Sequence, residues 1–142
     1  MLEALSISLN KAAVLGFVLY ILGAAVLFAL FQFIYTRITP HKEFELIRAG
    51  NTSAAVALGG AIVGFAIPAS NVIAYSINVL DFIVWAVIAA VVQLLAFLLT
   101  SLVLKGTSER IKNGELAAGI YVAAVAISVG MLNAACMTPT QN

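Results

Sequence analysis

His41 is the chain's single histidine and Cys136 its single cysteine, so the side chains that most often carry catalysis are scarce. His41 has no serine or cysteine partner at a spacing that marks a nucleophile–base pair, and no carboxylate pair lies within an apolar run. One cysteine excludes an intrachain disulfide framework and any CxxC or zinc-knuckle pattern. Neither an enzyme nor a resident cofactor or metal is expected. Two readings of His41 stand: a loop histidine beside Lys42 and Glu43, or a pH-responsive group, since its ordinary pKa lies near 6.5.

The remaining polar chemistry belongs to neutral groups inside apolar runs. Gly60 and Gly64 form a GxxxG ridge that Pro68 continues one turn later. Proline leaves the carbonyl four residues earlier, that of Gly64, without its helical partner, and Ser70 and Asn71 follow directly. This stretch reads either as a polar site for a water or ion, or as a kink with close helix packing. Gln93 and Asn133 are further neutral polar groups in apolar surroundings. Gln93 reads as interhelical glue or as pore lining. Ala126, Gly130 and Ala134 form a second small-residue ridge, expected to meet another helix closely, with span two (which carries Gly60 and Gly64) of the same or a neighbouring chain as the candidate. Cys136 is a packing thiol or, in an oxidising compartment, half of an interchain disulfide.

These groups need elements to hold them, and composition says which. Of 142 residues, 63% are hydrophobic and 9% charged, with a net charge of +1 and a mean hydropathy of +1.12. A soluble domain carries about 25% charged residues, so this chain belongs to the membrane class. Its balanced charge gives no basic field for nucleic acid. Four uncharged runs, 12–35, 54–75, 82–104 and 116–137, each approach the roughly 20 residues that cross a hydrocarbon core. None alternates with period two, which argues against a barrel. An all-α integral membrane protein with four spans is expected. No ionisable Asp, Glu, Lys, Arg or His lies inside a run, whereas ion-coupled pumps place a relay there.

Charge collects in two loops. Arg37, Lys42 and Arg48 lie between the first two runs, and Lys105, Arg110 and Lys112 between the last two. By the positive-inside rule both loops face the cytoplasm and both termini the periplasm. Shifted by 64 residues, the first half overlays the second: Glu45 falls on Glu109, Ile47 on Ile111, Arg48 on Lys112 and Gly50 on Gly114. The organisation expected is a tail (1–11), a two-helix unit (12–75), a link (76–81), a second two-helix unit (82–137) and a short tail (138–142). The two helical hairpins then share one orientation, as in parallel-repeat membrane proteins. Each charged loop is expected to carry a short interfacial helix. In the first, Thr39 would cap, Pro40 start and Gly50 stop it; in the second, Ser108 would cap and Gly114 stop.

The strings ITPHKEFELI, NTSAAVA, GFAIP and NAACMT resemble the YjfL-type bacterial inner-membrane proteins, described by the domain of unknown function numbered 350 in two tandem copies. The resemblance runs through nearly the whole chain. It implies a small four-span inner-membrane protein without an established activity. It also implies a neighbourhood of phage-shock-like peripheral proteins and ATP-grasp ligases, hence envelope stress. The function expected first is a passive channel or transporter subunit, working as a homo-oligomer in the lipid bilayer through Gly60, Gly64, Pro68, Ser70, Asn71, Gln93 and Asn133. Buried neutral polar groups fit that class better than docking. The alternative is a scaffold that docks a peripheral stress-response protein through Arg37, His41, Arg48, Arg110 and Lys112.

Overall fold

The computed structural model describes residues 10–137. Most of the expected N-terminal tail and all of the tail at 138–142 lie outside the described residues. Among the described residues every regular element is an α-helix: α1 (Lys11–Ile38), α2 (Glu43–Arg48), α3 (Thr52–Tyr75), α4 (Val79–Val103), α5 (Thr107–Lys112) and α6 (Leu116–Cys136). α1, α3, α4 and α6 are long and apolar enough to cross a membrane.

Local chemistry sets the helix ends. The side-chain oxygens of Asn10, Asn51 and Asn78 accept hydrogen bonds from Ala13, Ala54 and Asp81, satisfying first-turn N–H groups of α1, α3 and α4. Gly50 and Gly114 close the short helices in the left-handed region, at φ 84° and 76°. The starts of the short helices differ from expectation. α1 runs through Arg37 to Ile38, so Thr39 is its C-cap and donates its hydroxyl to Tyr35 O at 3.1 Å. Pro40 then lies in the link, and α2 begins only at Glu43 with no side-chain cap. Likewise α5 starts after Gly106, at φ 73°, and Ser108 sits inside it rather than capping it. Arg37 sits in the last turn of α1, where a cation suits the helix C-terminus, and lies over the Phe33 ring at 4.7 Å. The short helices and the spans after them begin at 43 and 107, and at 52 and 116. Both pairs are 64 residues apart (107 − 43, 116 − 52).

α3 and α6 form the spine. They run parallel: Ser53 Oγ donates to Glu115 O (2.7 Å) at one end, and Asn71 Nδ2 to Ala134 O (2.7 Å) near the other. Backbones touch along this seam. A Cβ on Gly60 would meet Ala123, one on Gly64 would meet Ala126 and Gln93, and one on Gly130 would meet Gly64. Lipid tails are as apolar as leucine, so small residues that allow close van der Waals contact hold such a pair together. The two ridges therefore meet each other inside one chain. The homo-oligomer expected from them loses that support.

α1 is the outer helix. It leans on α3 and α4 through Phe28, Phe31 and Tyr35, with Phe31 stacked on Phe65 at 4.2 Å. Its opposite face exposes Leu15, Phe17, Leu22 and Val26, a surface suited to hydrocarbon.

Candidate functional site

The chain link between α1 and α2 leaves Pro40 and Lys42 exposed but turns His41 inward, and Glu43 at the start of α2 is inward too; the two are only 4% and 2% exposed. His41 Nδ1 lies 2.9 Å from the Ser108 hydroxyl of α5, and Nε2 lies 3.6 Å from Glu43 Oε1. Ser108 is thus a partner that sequence spacing did not reveal, because it sits 67 residues away. His41 does lie in the loop beside Lys42 and Glu43, as expected, but its side chain is turned inward. Burial, and then the Lys112 cation, push the imidazole below its ordinary value. Burial also pushes the Glu43 carboxyl upward, against the Thr39 hydroxyl and its own backbone N–H, which favour the anion. Neither Glu43 oxygen closes a hydrogen bond in the geometry.

Serine, histidine and glutamate in a row invite comparison with a hydrolytic triad. In that device an ionised acid stabilises the imidazolium that forms in the transition state. A carboxyl biased toward its neutral form supplies little of that charge.

His41 lines two clefts. One, of about 520 Å³, is bounded by Pro40, Lys42, Glu45, Leu46, Ala49 and Lys112. The other, about 270 Å³, reaches Phe97, Ser101 and Ser108. Charges around them are paired: Lys42 with Glu45 (2.9 Å), Lys112 with Glu109 (2.7 Å), and Arg110 with Glu115 through two bonds. The last pair holds the Arg110 guanidinium above and the Glu115 carboxyl below their usual ranges. Arg48 and Arg37 are exposed at the same end. Asn51 Nδ2 donates to Ile111 O and Lys112 O, tying the start of α3 to the end of α5. Arg37, His41, Arg48, Arg110 and Lys112 therefore share one end of the molecule.

The groups expected along a membrane path are arranged differently. Asn71 donates to Ala134 O, Gln93 Nε2 to Ala126 O (2.9 Å) and Asn133 Nδ2 to Ala89 O (3.3 Å). Each is a clasp between helices. Gly60, Gly64 and Pro68 are buried against the bundle, while Ser70 is exposed and donates to Ile67 O of its own helix. The Gly64–Asn71 stretch does not gather into one polar site. Cys136 is exposed at the far end, on a cleft with Tyr75, Asp81, Trp85 and Met137. Gln93 keeps one unpaired atom, Oε1, although the side chain is fully buried. Beside it lies a space of about 10 Å³ lined by Tyr35, Phe97, Thr100 and Ala126.

The family described as "Domain of Unknown Function (DUF350)" matches residues 8–137, a single stretch covering both halves. This chain belongs to the DUF350 family. It is 38% identical over 126 residues to the "UPF0719 inner membrane protein YjfL" of Escherichia coli (strain K12), covering 89% of this chain and 96% of that one. The protein of the same description from Escherichia coli O157:H7 matches equally. No solved structure matches.

Within this DUF350 chain, sequence reasoning missed Tyr35, Thr39 and Glu43. Tyr35 ends the first uncharged run and Glu43 lies in the charged loop, yet both are buried. Spacing alone does not group them, since α1 ends at Ile38 and Glu43 opens a separate helix.

Proposed function

We propose that the chain is a bacterial inner-membrane protein that acts as a scaffold, docking a peripheral partner at its charged end. One observation carries this reading: Asn71, Gln93 and Asn133, the amides a polar path would need, each bond a carbonyl of a neighbouring helix. A conduit needs such groups turned to water. The charged end instead offers a cleft with apolar walls (Leu46, Ala49, Pro40) and paired charges at its rim (Lys42, Glu45, Lys112). Interfaces combine an apolar centre with a polar rim in this way. The identity of the relatives as inner-membrane proteins, and the Lys and Arg asymmetry, support a charged end that faces the cytoplasm, where a peripheral protein would reach it. The 64-residue displacement of paired elements supports two hairpin units of one orientation. No catalytic step belongs to this proposal, and the passive-channel reading is the competitor.

Photocrosslinkers placed in living cells at Ala49 and at Ile77, on opposite ends, test the docking surface. A discrete protein adduct from Ala49, lost on Lys112→Glu and absent from Ile77, supports docking. No adduct at Ala49, or equal adducts at both ends, overturns it.

A further inference from the structure

Buried polar groups form a continuous row from the charged end into the apolar centre: His41, Glu43, Thr39, Tyr35 and Gln93, each 6% exposed or less. Adjacent members are linked one by one. His41 faces Glu43 at 3.6 Å, the Thr39 hydroxyl lies beside Glu43 and bonds Tyr35 O, and Tyr35 shares the 10 Å³ space with Gln93. Among the described residues the buried side-chain atoms without a hydrogen-bond partner are Glu43 Oε1, Glu43 Oε2 and Gln93 Oε1. All three are acceptors, and they sit at the two ends of the inner segment of this row. Unpaired buried acceptors are costly, so each calls for a donor. A space of about 10 Å³ is near the smallest that holds one water.

We propose that this row is a proton-loading site open to the charged end: Glu43 holds a proton against His41, and a water between Tyr35 and Gln93 extends the site to the bundle centre. One proton serves the pair by turning a Glu43 oxygen from acceptor into donor. The Glu43 carboxyl O–H donates to His41 Nε2 once the 3.6 Å gap closes, and neutral His41 donates Nδ1–H to Ser108 Oγ at 2.9 Å. The water donates to Gln93 Oε1, whose amide N–H already donates to Ala126 O. Thr100, on the same space, donates to Ala96 O and keeps lone pairs free to accept from that water. His41 opens on both clefts, which supplies access for protons from solvent.

The charged and titratable groups around the pair agree with one shared proton. Lys112 of α5 faces His41 and opposes a second positive charge there, while Tyr35 of α1 lies on the side of Glu43. Lys42, Glu45, Glu109, Arg110 and Glu115 are engaged in surface pairs. From α4 come Phe97 and Thr100, and from α6 Ala126, none of which titrates. Beyond Gln93 the polar groups are amide clasps, so the site loads protons without passing them across.

Infrared difference spectra of the full chain in lipid nanodiscs, recorded between about pH 5 and pH 8, test this directly. Two signals are expected in wild type near neutrality. One is the carbonyl stretch of a protonated carboxyl, lost in Glu43→Gln and retained in Glu45→Gln. The other is a water O–H stretch that shifts in ¹⁸O water, disappears in Gln93→Leu, and moves as the Glu43 band titrates. Should Gln93→Leu fail to fold, the coupled movement of the two wild-type bands decides alone. Absence of the carboxyl band overturns the loading site. Absence of the water band, or a water band that ignores the titration, overturns its extension to Gln93.

Discussion

Burial acts on His41 and Glu43 in opposite directions, and the pH dependence of stability follows from both. The folded imidazole sits below 6.5, so the unfolded chain takes up a proton first as pH falls. Its contribution is present above that value and is lost as pH drops toward the folded one. The folded carboxyl sits above 4.5, so its contribution is full below that value and is lost as pH rises through the folded one. Thermal unfolding in mild detergent is expected to show wild type losing ground to His41→Gln as pH falls from about 7.5 to about 5.5. Glu43→Gln is expected to gain on wild type as pH rises from about 5 to about 8. Parallel curves across this range would contradict the burial of both groups. The sequence shows His41 and Glu43 two apart but not that they are inside, because their burial depends on Ser108 and Lys112 of a distant helix. Gln93 was legible as a buried amide; the single unpaired oxygen was not, since it depends on where Ala126 O lies.

At the scale of elements, hydropathy marks all four spans to within a few residues, because about 20 apolar residues in a row leave few alternatives. The ends are where reading fails. Thr39 before Pro40 reads as the cap that starts a helix, yet it is the residue that closes α1. The ridges were legible as close-packing surfaces, and span two was the candidate partner for the ridge of span four; whether they meet within one chain or between two was not, since small residues fit either arrangement. Their meeting in α3 and α6 makes a sharp prediction. Gly64→Leu or Gly130→Leu drives a side chain into backbone and is expected to cost about 3 kcal/mol or more, measured as loss of folded protein in detergent. Gly16→Ala, whose Cβ meets open space, is expected to be neutral or slightly favourable. Asn71→Leu removes a clasp to Ala134 O, and interhelical bonds of this kind average about 0.6 kcal/mol in membranes. Gly114→Ala, at φ 76°, is expected to cost about 1 kcal/mol through left-handed strain alone.

For the whole molecule, composition alone places the chain in a membrane, and the Lys and Arg asymmetry gives an orientation. Alkaline phosphatase fused after Asn142 is expected to be active in the periplasm, and a cytoplasmic reporter at that point silent; the reverse would put the clefts of His41 outside. What composition does not carry is whether buried amides face water or each other. That distinction separates a conduit from a platform, and the clasps of Asn71, Gln93 and Asn133 are the ground for choosing the platform. The most direct measurement is flux through purified protein in liposomes, screened over monovalent ions, small polar solutes and protons. Release no faster than from protein-free vesicles, with the chain intact and inserted, is the expected result. Saturable flux of any one species, reduced by Asn71→Leu while the protein stays folded, would contradict the account.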